Sequence, residues 1–287
     1  MKVEQRSVAV RGIDMAYAEW GGEHATTVLL AHATGFHGRC WDGVVRELGD
    51  GVRVLAPDLR GHGRTTKRGP YDWREFGADV TAFVEALELT ALVAAGHSMG
   101  GHSIVQAAGR QPDRFRKLLL VDPVIMDPDQ YAGGNSRFTA ASATEHPVAR
   151  RRNAWTSADA MFARFEDRLP FRLWRRDVLM DYCRHGLVAD GDGFVLACPP
   201  SVEASIYMGS AGRDISRIIA TLPHPTVVLR GHRKSERDGE MDFTQSPTWP
   251  GLAAALPNGR DVYLPELTHF IPMQRPDLVA AHIRKLL

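Results

Sequence analysis

The stretch Val93-Ala94-Ala95-Gly96-His97-Ser98-Met99-Gly100-Gly101 decides the reading of this chain. The apolar run Ala91 to Ala95 reads as a buried strand, and the run Met99 to Gln111 that follows at once reads as a helix. Ser98 stands at the corner between them, with Gly96 and Gly100 two positions away on each side. This is the G-x-S-x-G pattern of a nucleophile elbow. A strand that turns so sharply into a helix forces the serine into a strained conformation, and side chains at the two glycines would collide with the nearby backbone. In return the Ser98 hydroxyl is lifted clear of the sheet, and the Met99 backbone N–H points into the same space.

Outward from the elbow, strands alternate with helices. On the N-terminal side, Val3–Val10 and Ile13–Trp20 alternate polar and apolar residues around a turn at Arg11-Gly12, as in a hairpin. Thr26–His32 and Val52–Asp58 are continuous apolar runs of the kind buried on both faces in a parallel sheet. Helices are expected over Trp41–Leu48 and from about Trp73 to Leu89. After the elbow helix, Arg116–Val121 is a further buried strand, ending at Asp122-Pro123. The rhythm predicts an α/β fold with a mostly parallel, doubly wound sheet.

From about Met126 to Ala220 no comparable buried strand is found. That segment is helix-like and rich in aromatics, among them Phe138, Trp155, Phe162, Trp174 and Tyr182. It is too long for a plain connection. We read 126–220 as a mostly helical cap inserted between core segments 1–125 and 221–287. Strand rhythm resumes at Pro225–Gly231 and Asp261–Leu264, and an amphipathic helix closes the chain from Pro276.

At 287 residues and 44% hydrophobic, the chain is long enough for one sizeable core with an insertion. A net charge of +1 argues against nucleic acid or an anionic membrane as the main partner. Cys40, Cys183 and Cys198 have no C-x-x-C spacing, which suits a reducing cytoplasm. No apolar leader or membrane-span length is apparent. His32, His37, His97 and His102 offer no ligand set on one face, and no phosphate-binding glycine loop occurs. Neither a metal nor a cofactor is therefore expected.

Four pieces together resemble the α/β-hydrolase superfamily, in its capped serine-hydrolase branch, over nearly the whole chain. They are Gly96-His97-Ser98-Met99-Gly100-Gly101, Asp58-Leu59-Arg60-Gly61-His62-Gly63, His32-Ala33-Thr34-Gly35 and Thr268-His269-Phe270. The resemblance implies that Ser98 is the nucleophile and His269, between the last strand and the last helix, its base. The slot in which many relatives carry the acid reads Gly231-His232-Arg233-Lys234 here, and a lysine cannot orient a histidine. A second family arrangement puts the acid after the strand that follows the elbow helix, where Asp122 stands. Asp122 is favoured, with Glu236 and Asp238 as alternatives. The resemblance also implies an oxyanion hole from the Met99 and Thr34 N–H groups. Ala33 replaces the family's glycine, which leaves Phe36 as an alternative donor. His32, Arg60 and His62 are expected to brace the surrounding loops.

These residues imply a serine hydrolase acting on a hydrophobic carboxylic ester or lactone, with a small molecule as partner and a homodimer left open. Two rivals are kept. One is a C–C bond hydrolase of carboxylated dienols, as in meta-cleavage product hydrolases, with Arg172, Arg175 or Arg176 holding the carboxylate. The other is a ligand-binding receptor on this fold with little turnover. A serine at position 98 argues against carboxylate-nucleophile members such as epoxide hydrolases.

Overall fold

The structure is a computed structural model that describes residues 1–22, 26–132, 142–210, 214–232 and 244–287. In chain order the first half contains strands β1 (Val3–Val10), β2 (Ile13–Trp20) and β3 (Thr27–Ala31), helix α1 (Asp42–Leu48), β4 (Arg53–Pro57), α2 (Trp73–Ala86), β5 (Leu92–His97), α3 (Met99–Arg110) and β6 (Phe115–Val121). There follow α4 (Pro128–Ala132), β7 (Ala154–Trp155), α5 (Ala158–Phe165), α6 (Arg176–His185), β8 (Leu187–Asp190), β9 (Gly193–Leu196), α7 (Pro200–Met208) and α8 (Ser216–Thr221). The chain ends with β10 (Thr226–Arg230), α9 (Leu252–Ala255), β11 (Gly259–Tyr263), α10 (Ile271–Gln274) and α11 (Pro276–Leu286).

Eight strands form one sheet in the order β1-β2-β4-β3-β5-β6-β10-β11. The β1–β2 and β2–β4 pairs are antiparallel, and every later pair is parallel. Alternation along the central strands explains why both faces are apolar. Leu29, Leu55, Leu92, Ala94, Leu118 and Leu120 point into one core, shared with Phe76, Phe83 and Ile104 of α2 and α3. Their chain neighbours Val28, Leu30, Val54, Val93, Ala95 and Leu119 point into the other, shared with Val44 of α1 and Val279 and Ile283 of α11. A strand buried on both sides reads as a continuous apolar run because successive side chains face opposite ways. Helix α2 has the matching signature: Phe76, Val80, Phe83 and Val84 recur at helical spacing, and Asp72 caps its start by accepting from Arg74 N–H.

Segment 126–220 carries helices, as expected, but also a three-stranded antiparallel sheet, β7-β9-β8. The β8–β9 hairpin turns at Asp190-Gly191-Asp192-Gly193, with Gly191 at φ +57°. An Asp-Gly pair between two short apolar runs is a hairpin signal. This small sheet comes in addition to the helices of a segment expected to be mostly helical. Its strands are short and half exposed, so they lack the continuous apolar run that marks the central strands. Phe138 lies outside the described residues. Helix α6 is tied to α1 by Arg46 with Asp177 and Asp181, and by Arg175 with Glu47.

Candidate active site

Ser98 sits between β5 and α3 at φ 57°, ψ −121°, a conformation L-residues rarely adopt. Close approach of the backbone explains the flanking glycines. A Cβ on Gly96 would meet Gly100 O at 2.5 Å, and one on Gly100 would meet Ala31 O at 2.2 Å. Gly100→Ala is therefore expected to destabilise the fold by about 3 kcal/mol, because the clash is with main chain that cannot rotate away. The urea midpoint is the measurement, and an unchanged midpoint would contradict the account.

Strand register brings the next group alongside. His97 pairs with Val121 across β5 and β6, so Ser98 and Asp122 leave adjacent strands at the same level. Ser98 N–H donates to Val121 O at 3.1 Å, and Asp122 N–H to Leu229 O at 2.8 Å. Asp122 is fully buried and holds φ 45°, which aspartate tolerates better than most residues. Its Oδ2 accepts from His269 Nδ1–H at 2.6 Å. Its Oδ1 accepts from Gly231 N–H at 2.8 Å, the Ser246 hydroxyl at 2.6 Å and the Thr248 hydroxyl at 3.4 Å. With Nδ1 protonated towards the carboxylate, His269 Nε2 is an acceptor, and it lies 3.1 Å from Ser98 Oγ.

The structure thus brings Ser98, His269 and Asp122 into one relay. Glu236 and Asp238 lie outside the described residues. Ser246 and Thr248, which hold the carboxylate, escaped the sequence reading, since only the return of their loop brings them near β6.

Thr34 and Met99 are both buried, and the Thr34 hydroxyl lies 3.4 Å from Met99 Sδ. Neither backbone N–H has an acceptor among the described residues. Met99 also opens α3, so the positive end of that helix points into the same space. Phe36 is corrected as a donor: its N–H is taken up by Ala33 O at 3.2 Å. Its ring instead packs near His97, Trp174, Tyr182 and Phe270, which brings the aromatic cluster of segment 126–220 up to the site.

The braces are as expected. His32 Nδ1–H donates to Ala33 O, and Nε2 accepts from Leu59 N–H at 2.9 Å. His62 Nε2 accepts from Gly35 N–H at 3.0 Å, and Arg60 grips buried Asp79 with two bonds of 2.7 Å. Two of the three arginines named for a carboxylate are engaged elsewhere. Arg175 pairs with Glu47 and Asp177, Arg176 with Glu166, and Arg172 is exposed. Behind Phe36, Arg151 bonds both Glu203 and the Tyr182 hydroxyl, and burial raises the Glu203 carboxyl above its usual range.

Burial lowers the pKa of His32, His62 and His97, and takes His37 from 6.5 to about 3. In His32 and His62 a ring nitrogen already accepts a backbone N–H, so a second proton would set donor against donor. Between pH 6.5 and about 3 the unfolded chain protonates His37 and the folded chain does not. Stability is therefore full above pH 6.5 and falls on acidification, by about 1.4 kcal/mol per pH unit for such a histidine. The other three act in the same direction. Denaturation midpoints at pH 7.5 and 5.5 should differ accordingly, and His37→Gln should flatten the slope.

Among the described residues one group could be considered for a metal: Asp42, Asp181 and His185, with ligand atoms within 4.8 Å of one another. Arg39 and Arg46 already neutralise its two carboxylates. Cys40, Cys183 and Cys198 are buried and free. No helix among the described residues is long and apolar enough to cross a membrane.

An elbow serine within reach of a histidine that a buried aspartate orients, at the carboxyl edge of a parallel sheet, defines the class. The chain belongs to the Alpha/beta hydrolase family, whose model matches residues 28–282. It is similar to a non-heme chloroperoxidase of Streptomyces lividans, 34% identical over 129 residues, which are 43% of this chain and 47% of that one. It is also similar to a bifunctional esterase/perhydrolase of Acinetobacter calcoaceticus, 34% identical over 116 residues, 39% of this chain and 42% of that one. The matches thus span a little under half the length of these curated relatives. Among solved structures, E-2-(acetamidomethylene)succinate hydrolase superposes with a TM-score of 0.77 at 19% identity, covering 99% of both chains. The enol-lactonase of Burkholderia xenovorans LB400 does so with 0.68 at 22% identity, covering 98% of this chain and 99% of that one. At such identities the structural likeness speaks for the fold alone.

Proposed function

We propose that the protein is a serine hydrolase of hydrophobic carboxylic esters or lactones. One observation carries the reading: the unbroken path Ser98 Oγ, His269 Nε2, His269 Nδ1, Asp122 Oδ2, with steps of 3.1 and 2.6 Å. A serine hydroxyl is barely ionised at neutral pH and needs a base in bonding reach. Ser98 Oγ attacks the substrate carbonyl as its proton passes to His269 Nε2. Asp122 steadies the imidazolium and keeps its Nδ1–H in place. The carbonyl oxygen gains a negative charge, which the Thr34 and Met99 N–H groups receive. His269 then protonates the leaving alkoxide. Water, deprotonated by the same imidazole, releases the acyl group from Ser98.

Segment 126–220 is read as the cap, and its aromatic cluster around Phe36 and Phe270 favours an apolar acyl or alcohol group. The rival C–C hydrolase reading finds no carboxylate anchor in Arg175 or Arg176, whose charges are already paired. The deciding experiment is a panel of aryl esters, lactones and a carboxylated dienol, with mass detection of an adduct on Ser98. An acyl-enzyme with esters or lactones is expected. Turnover of the dienol alone would overturn the ester reading in favour of the rival, and binding without turnover would favour a receptor.

A further inference from the structure

His97, the residue before the nucleophile, is buried and takes no part in the relay itself. Its Nε2–H donates to the carbonyl oxygen of His269 at 2.8 Å, joining positions 172 residues apart. The two imidazoles lie 4.9 Å apart, centre to centre. The main chain of His269 is therefore held at both ends, since its own N–H donates to Thr244 O at 2.7 Å. A pinned carbonyl fixes the Cα from which the base swings, and it does so against the strand that carries Ser98. Asp122 fixes the ring's rotation through Nδ1. Pivot and rotation are separate constraints, and a reactive distance needs both.

The other ring nitrogen of His97, Nδ1, is buried without a hydrogen-bond partner among the described residues. An apolar side chain of similar volume would fill the space and remove that unpaired nitrogen, but it would leave the His269 carbonyl oxygen without its donor. What it could not provide is the N–H to residue 269.

We propose that His97 is a positioning residue that sets the reach of His269 to Ser98. The inference rests on the hydrolase reading. Its test uses the full chain carrying His97→Phe, which removes the donor, and His97→Gln, whose amide N–H can meet the same carbonyl. Activity on an aryl ester is expected to fall by about tenfold or more in kcat for His97→Phe, with KM within about twofold. His97→Gln should keep kcat within about threefold of the parent. A His97→Phe enzyme with kcat within about twofold of the parent overturns the proposal, as does a glutamine no better than phenylalanine. If phenylalanine is not accommodated, His97→Leu is held to the same outcomes.

The low-field proton resonance of the His269–Asp122 bond supplies a reading that needs no turnover. It should stay sharp in the parent and in His97→Gln and broaden by solvent exchange in His97→Phe. Equal sharpness in all three overturns the proposal. A parent that turns over no ester but shows the expected resonances would sink the hydrolase reading and leave the positioning role standing.

Discussion

Ser98→Ala is expected to lower kcat on any ester the protein cleaves by about ten-thousandfold or more, with the fold intact. The size follows from the chemistry. Without Oγ no covalent intermediate forms, and His269 has no proton to accept from the enzyme. What remains is the oxyanion pocket and binding. Stability should hardly change, because the strained φ of 57° belongs to the turn and alanine inherits it, while the hydroxyl's partner in the relay is a ring nitrogen that water can serve. The checks are steady-state kinetics and a thermal melt side by side. A variant that retains a tenth or so of the activity would remove Ser98 as nucleophile.

Asp122→Asn should cost about the same factor, for a different reason. An amide at 122 can present an N–H where Oδ2 now accepts from His269 Nδ1–H. The imidazole then turns its lone pair to the amide and its proton to Ser98, and it can no longer act as a base. Glu236→Gln, by contrast, should leave kcat within about twofold. The comparison is decisive because Asp122 stands in the second family arrangement of the acid, while Glu236 is the first carboxylate after the slot Gly231-His232-Arg233-Lys234 of the other. If Glu236→Gln proved the costlier change, the assignment of Asp122 would fall while the family membership stood.

The turn at Ser98 was legible because its constraint is local: two glycines, one strand and one helix, all between Leu92 and Arg110. The parallel sheet was legible for the related reason that burial on both faces leaves continuous apolar runs. Asp122 could be read as the end of such a run before Pro123. The groups that hold its carboxylate could not, since Gly231, Ser246 and Thr248 acquire that role only through the path of a loop. The β8–β9 hairpin had a signal, Asp190-Gly191, that the aromatic character of its surroundings obscured. The arginines of 172–176 illustrate a different limit. Sequence gives a charge but not its partner, and Glu47 and Asp177 had already taken Arg175.

The distance along the chain between Ser98 and His269 has a bearing on biosynthesis. A ribosome-bound polypeptide that has just passed β6 already contains Ser98, Asp122 and the Thr34 and Met99 amides. On the mechanism proposed here it is inert until the loop that carries His269 has been made and has docked. Premature termination anywhere before that loop therefore yields a silent hydroxyl rather than an unregulated enzyme.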